Sequence, residues 1–66
     1  MTNAEAKKAM FDRVSVTYNG IRYSCISAII YRYDRFNSLL VSAELTDYTK
    51  RSVTIAQIKD VKATDD

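Results

Sequence analysis

The stretch "VSVTYNGIRYSC", residues 14–25, constrains this chain more than any other. Asn19-Gly20 is the preferred pair for a two-residue type I′ turn, because both central positions need φ > 0. With the turn placed there, Tyr18 faces Ile21, Val16 faces Tyr23, and Val14 faces Cys25. All six fall on one side of the hairpin, and Ser15, Thr17, Arg22 and Ser24 fall on the other. Turn chemistry and apolar alternation agree on one register, so a β-hairpin is predicted here, with Cys25 on its core face.

The second strand continues as "ISAIIYRYD". One phase reads Ser27, Ile29, Tyr31, Tyr33, and the other reads Ile26, Ala28, Ile30, Arg32. Both are largely apolar, so simple alternation fails. A long strand with two apolar faces predicts a bend or bulge, where one strand serves two sheets. After the turn "RFNS", "LLVSAEL" gives a third strand with Leu39, Val41, Ala43 and Leu45 on one face. Leu40, Ser42 and Glu44 lie on the other. "TDYTKR" is a polar turn, and "SVTIAQI" is a fourth strand with Val53 and Ile55 inward. Ile58 and Val61, three apart, predict a single helical turn before a short last strand.

Upstream, Thr2 and Glu5 have capping-box spacing, and Ala4, Ala6, Lys7, Lys8, Ala9 and Met10 favour a helix. Ala6 and Met10 share a narrow face, with Phe11 beside them. The expected architecture is therefore mostly β: a short N-terminal α-helix over residues 2–12, then a five-stranded SH3-like small barrel over 13–63. The helix is expected to cover an open barrel end. Residues 64–66 are expected to fray, and 1–66 form one domain.

Length and composition remove several function classes. A chain of 66 residues buries only about 60% of its unfolded surface, and often needs a disulfide, a metal or a partner for stability. One cysteine and no histidine leave no internal disulfide and no ordinary zinc site, so oligomerisation is the remaining staple. Cys25 reads as a small buried hydrophobe, since a reactive thiol needs cationic neighbours. Without histidine there is no Ser-His or Cys-His dyad. Asp34, Glu44, Asp47 and Asp60 are scattered, and no Gly-rich phosphate loop is present. A non-enzyme is expected, with no cofactor, no metal and no small-molecule substrate.

"MTNAEAKKAM" lacks the apolar core of a signal peptide, and "CISAIIY" is too short to span a bilayer. A cytoplasmic protein without a membrane partner is expected. Residues 13 to 62 carry eight Lys/Arg against four acids, an excess that permits a nucleic-acid or acidic partner without demanding one.

Gly20, Tyr23 and "YDRFNSLLVSAE" together make residues 13–63 resemble an Sm-like (Lsm/Hfq-type) chain, a family of SH3-like small barrels. The resemblance implies RNA or DNA binding near Asn37. Here Asn37 follows Asp34 by three positions, where the family pattern has four. The glycine of the family's late RNA-contact motif is absent from "TIAQIKDV".

Tyr31, Arg32, Tyr33, Arg35, Phe36 and Asn37 are the candidate contact residues. Aromatics interleaved with arginines can stack on bases and neutralise phosphates, and Tyr and Arg are also enriched in protein interfaces. Alternation places Tyr31 and Tyr33 on one face, where they are expected to pack, and leaves Arg32, Arg35 and Phe36 accessible. The leading expectation is a protein-interaction or assembly module, including a homo-oligomer joined through strand edges. A bacterial or phage accessory protein is a setting it would suit. The alternative is an Sm-like nucleic-acid-binding module.

Overall fold

In the computed structural model, which describes residues 1–64, Asn19 and Gly20 both take positive φ, 53° and 77°. They join β1 (Val16–Tyr18) to β2 (Ile21–Tyr23) with Val16 opposite Tyr23 and Tyr18 opposite Ile21. The predicted register holds over these pairs. It does not extend to Val14 and Cys25. The Val14 amide donates instead to the Ala9 carbonyl, ending the helix, and Cys25 pairs with Thr46. Val14 is exposed and Cys25 half-buried, not a core pair.

The long second strand breaks at Ser24 into β2 and β3 (Cys25–Tyr33). It therefore serves two sheets, as its two apolar phases require. The Ser24 amide donates to the Thr46 carbonyl (2.8 Å), which ties the break to the second sheet. A bulge at Ser27 follows, where the register with β4 (Leu39–Thr46) shifts between Ile26 and Ala28. The Ser27 hydroxyl bonds the Glu44 carbonyl and carboxylate, and accepts from the Thr46 hydroxyl. Each serine interrupts the alternation, so the inward set reads Tyr23, Ile26, Ile29.

β5 (Val53–Gln57) pairs with β4, a single 3₁₀ turn (Ile58–Asp60) follows, and β6 (Val61–Ala63) pairs with β1. The result is two three-stranded antiparallel sheets, ordered β2-β1-β6 and β3-β4-β5. The expected five-stranded closed barrel is not formed. Among the described residues there are six strands, because Ser24 divides one. No seam closes the sheets, because the 3₁₀ turn carries the chain from β5 in one sheet to β6 in the other and the two strands do not pair.

The helix α1 (Asn3–Asp12) is capped by Thr2 in a full capping box with Glu5, and ends at Arg13 in the left-handed region. The Thr2 backbone amide bonds the Glu5 carboxylate and holds its pKa below the ordinary value. α1 packs against β3. It buries Ala6 and Ala9, with Met10 half-buried and Phe11 exposed. Small residues on that face let helix and sheet approach closely. The Met1 amino group donates to the Ile58 and Val61 carbonyls (2.8 and 3.0 Å), which fixes the start of α1 to the 3₁₀ turn. The Thr64 amide donates to the Ser15 carbonyl (3.4 Å) and its hydroxyl shares a hydrogen bond with the Thr17 hydroxyl (3.0 Å); residues 65–66 lie outside the described residues.

The core lies between the helix and the two sheets. Leu45, Val16 and Val61 are its largest fully buried side chains, and four of its ten members are alanine. Fully burying a residue like Leu45 contributes roughly 1.5–3 kcal/mol. Large apolar groups are thus few inside. Ten others among the described residues are exposed, including Val53 and Ile55, which were expected inward. Thr54 and Ala56 face inward instead, opposite Leu45 and Ala43.

Candidate functional site

β3 and β4 form a hairpin longer than the helix that covers it. Nine strand residues span roughly 30 Å at about 3.3 Å each. Ten helical residues span roughly 15 Å. The far half of the hairpin therefore overhangs the core, and the molecule is elongated, 37 × 23 × 21 Å.

On the overhang, Tyr31 pairs with Val41 and Tyr33 with Leu39. This is the same face that Ile29 and Ala43 present to the core, but among the described residues no element covers it beyond the start of α1, and Tyr33 and Leu39 are exposed. Tyr31 is 47% exposed and Tyr33 68%, so the expected packing of both tyrosines is not found. Tyr31 lies nearer the helix, and its hydroxyl donates to Asn3 Oδ1 (3.0 Å). Arg32 points to the opposite face and is exposed.

The tip is a three-residue loop, Arg35-Phe36-Asn37, built as a turn followed by a left-handed residue. The Asn37 amide donates to the Asp34 carbonyl (3.1 Å), and the Asp34 amide donates to the Ser38 carbonyl (3.0 Å). Asp34 Oδ1 accepts from the Phe36 and Ser38 amides (2.8 and 2.9 Å). Asn37 takes φ 61°, a conformation that asparagine tolerates far better than most side chains. Turn geometry thus accounts for Asp34 and Asn37. It makes no use of the side chain of Phe36, a residue 80% exposed, or of the Arg35 side chain. Neither Arg32 nor Arg35 forms an ion pair among the described residues.

The structure therefore brings Tyr33, Arg35, Phe36 and Asn37 together at one protruding end. Tyr31 lies at its base and Arg32 on its reverse face. It adds Leu39, exposed opposite Tyr33, which alternation had placed on one face with Val41, Ala43 and Leu45. The signal that could have found Leu39 is the length mismatch between a 2–12 helix and a strand reaching Tyr33.

The second polar turn, joining β4 to β5, is held by Asp47. Its carboxylate accepts from the hydroxyls of Ser52 and Thr49 and from the Arg51 amide. The Ser52 and then the Thr49 hydroxyl bonds lower its pKa to about 2. Lys50 takes φ 59° within this turn. Asp47 is thereby a turn residue, its lone pairs occupied. Cys25 borders a small cleft with Met10, Arg13, Ile26 and Ser27. Among the described residues, no three His, Cys, Asp or Glu side chains converge as a metal site would require. No helix among them is long and apolar enough to cross a membrane.

Compared with known proteins, the chain matches no protein-family model, no curated protein and no solved structure.

Proposed function

We propose that the protein is a small non-enzymatic interaction or assembly module, whose overhanging β3–β4 hairpin contacts another protein. The observation that carries this is the surface. The chain exposes 4855 Å², where a folded monomer of 7.5 kDa is expected to expose roughly 4,250 Å². The excess, about 600 Å², goes with the elongated shape, 37 × 23 × 21 Å, to which the overhanging hairpin contributes. Much of the exposed apolar material is aromatic. Tyr33 and Phe36 sit beside Arg35, with Leu39 opposite Tyr33, and Tyr, Phe and Arg are the types enriched in interfaces.

A second role has its own support. The sheet order β2-β1-β6, continued through Ser24 into β3-β4-β5, suits an SH3-like, Sm-like relative, and unpaired arginines beside exposed rings suit single-stranded nucleic acid.

One experiment separates the two. Binding of the full chain to single-stranded RNA and DNA is followed by anisotropy at rising salt, beside recovery of its protein complex from native cells. A protein-contact role predicts no nucleic-acid affinity even at low salt. It also predicts that Tyr33→Ser with Phe36→Ser lowers complex recovery at least roughly tenfold, with the melting curve unchanged. Steeply salt-dependent binding would overturn it, provided Arg32→Ala with Arg35→Ala reduces the salt slope by about 1–2.

A further inference from the structure

We propose that β5 pairs edge to edge with β5 of a second copy of this chain, antiparallel about a two-fold axis at Thr54. This deepens the assembly role proposed above and rests on it. β5 is the outer strand of its sheet. No backbone bond joins its outer edge to another element among the described residues. Open edges invite another strand, and proteins usually guard them with charge, proline, bulges or brevity.

The other open edges carry such guards. β2 and β6 are three residues long, with Arg22 in one and Lys62 in the other. β3 has the Ser27 bulge and Arg32. β5 has none of these devices. Residues 52–58, "SVTIAQI", contain no charge, no proline and no glycine, and its ladder with β4 runs without a register shift.

The sequence of the edge is also self-complementary. With Thr54 opposite Thr54 of the second copy, Val53 faces Ile55 and Ile55 faces Val53. These side chains are 53% and 50% exposed in the isolated chain, and cross-strand β-branched pairs stabilise a sheet. Ser52 then meets Ala56, and Arg51 meets Gln57, so no like charges oppose. Centring the pair on Ile55 would set Arg51 against Lys59, a repulsive contact. Charge therefore excludes the Ile55 register, and of the neighbouring registers only the Thr54 one sets Val53 against Ile55.

Sedimentation velocity on the full chain, from micromolar to several hundred micromolar, tests the pairing. The expected mass is twice 7.5 kDa, and Ile55→Lys, which installs a charged edge guard, should weaken dimerisation roughly tenfold or more. Position 55 is solvent-facing, so the variant should keep its circular dichroism. Should it unfold, amide exchange on the wild type replaces it, with protection within 53–57 expected to rise with protein concentration. A monomer throughout, a larger closed ring, a dimer indifferent to Ile55→Lys, or concentration-independent exchange would each overturn the pairing. The hairpin contact is judged separately, by Tyr33→Ser with Phe36→Ser, which should leave the β5 dimer intact.

Discussion

Substitutions at Gly20 can separate backbone strain from crowding, because the structure leaves no crowding to consider. A β-carbon at this position would meet no heavy atom within 4 Å. What remains is φ 77°, a region where an ordinary L-residue costs roughly 1–2 kcal/mol. Alanine should lie near the lower figure. Valine, branched at Cβ, should reach about 2 kcal/mol or slightly more. Asparagine, which accepts positive φ, should stay within about 0.5 kcal/mol of glycine. For a domain this small each 1 kcal/mol moves the melting temperature by about 4–8 °C. Gly20→Ala should therefore fall by roughly 4–8 °C and Gly20→Val by roughly 8–16 °C, with Gly20→Asn close to wild type. Circular dichroism melts at one fixed protein concentration measure this, since association would make the midpoint concentration-dependent. A valine variant melting with the wild type would refute the type I′ turn. An asparagine variant as damaged as valine would show that side-chain volume, not φ, sets the cost.

Leu45→Ala removes the largest fully buried side chain and should cost about 2–5 kcal/mol. A domain of this length holds only about 3–10 kcal/mol in total, so urea titration should find the midpoint lowered by a large fraction of the wild-type value, and an unchanged midpoint would mean Leu45 is not in the core. Thr2→Ala deletes the cap of α1 and should cost about 1 kcal/mol, whereas Thr2→Ser should melt near wild type. The Asp47 carboxylate, ordinarily titrating at 3.8, is lowered to about 2 by its turn hydroxyls. A lowered folded-state pKa gives stability that is complete above the ordinary value and is lost as pH falls through the lowered one. Wild type should therefore lose stability between pH 3.8 and about 2, and Asp47→Asn should flatten that part of the melting profile; an unchanged profile would mean the turn does not hold the carboxylate.

Features set by neighbouring residues were legible in the sequence. Asn19-Gly20 fixed its hairpin, Thr2 and Glu5 their cap, and Ile58 and Val61 the turn before β6, because each depends on local dihedrals and hydrogen bonds. The two apolar phases of residues 25–33 correctly announced a strand shared between sheets. They could not show where the phase changed. Ser24 and Ser27 each take an extra place in the ladder, so alternation carried forward from Tyr23 misplaced Cys25.

Inward and outward faces were harder to read. In β5 the apolar pair Val53 and Ile55 looks like a core stripe by periodicity. Its partner strand decides otherwise, since Ala43 and Leu45 on the core face of β4 pair with Ala56 and Thr54. Periodicity identifies a stripe but not what covers it. The same holds for the candidate site. Tyr31 and Tyr33 do lie on the core side of the sheet, yet the first residue of the helix reaches only the Tyr31 hydroxyl and the helix stops short of Tyr33. Strand length against helix length was the missing comparison. It explains how residues chosen for their chemistry came to stand on a projecting hairpin.

A photo-crosslinking residue replacing Phe36 in the full chain, in its native cells, tests the proposed contact most directly. Phe36 is the most exposed large apolar side chain of the tip. The account predicts a covalent adduct with protein, of discrete mass. Adding Tyr33→Ser and Leu39→Ser should abolish it, and the same group at Lys7, on the exposed face of α1, should not form it. An adduct with nucleic acid, or a yield at position 36 no greater than at position 7, would contradict the account.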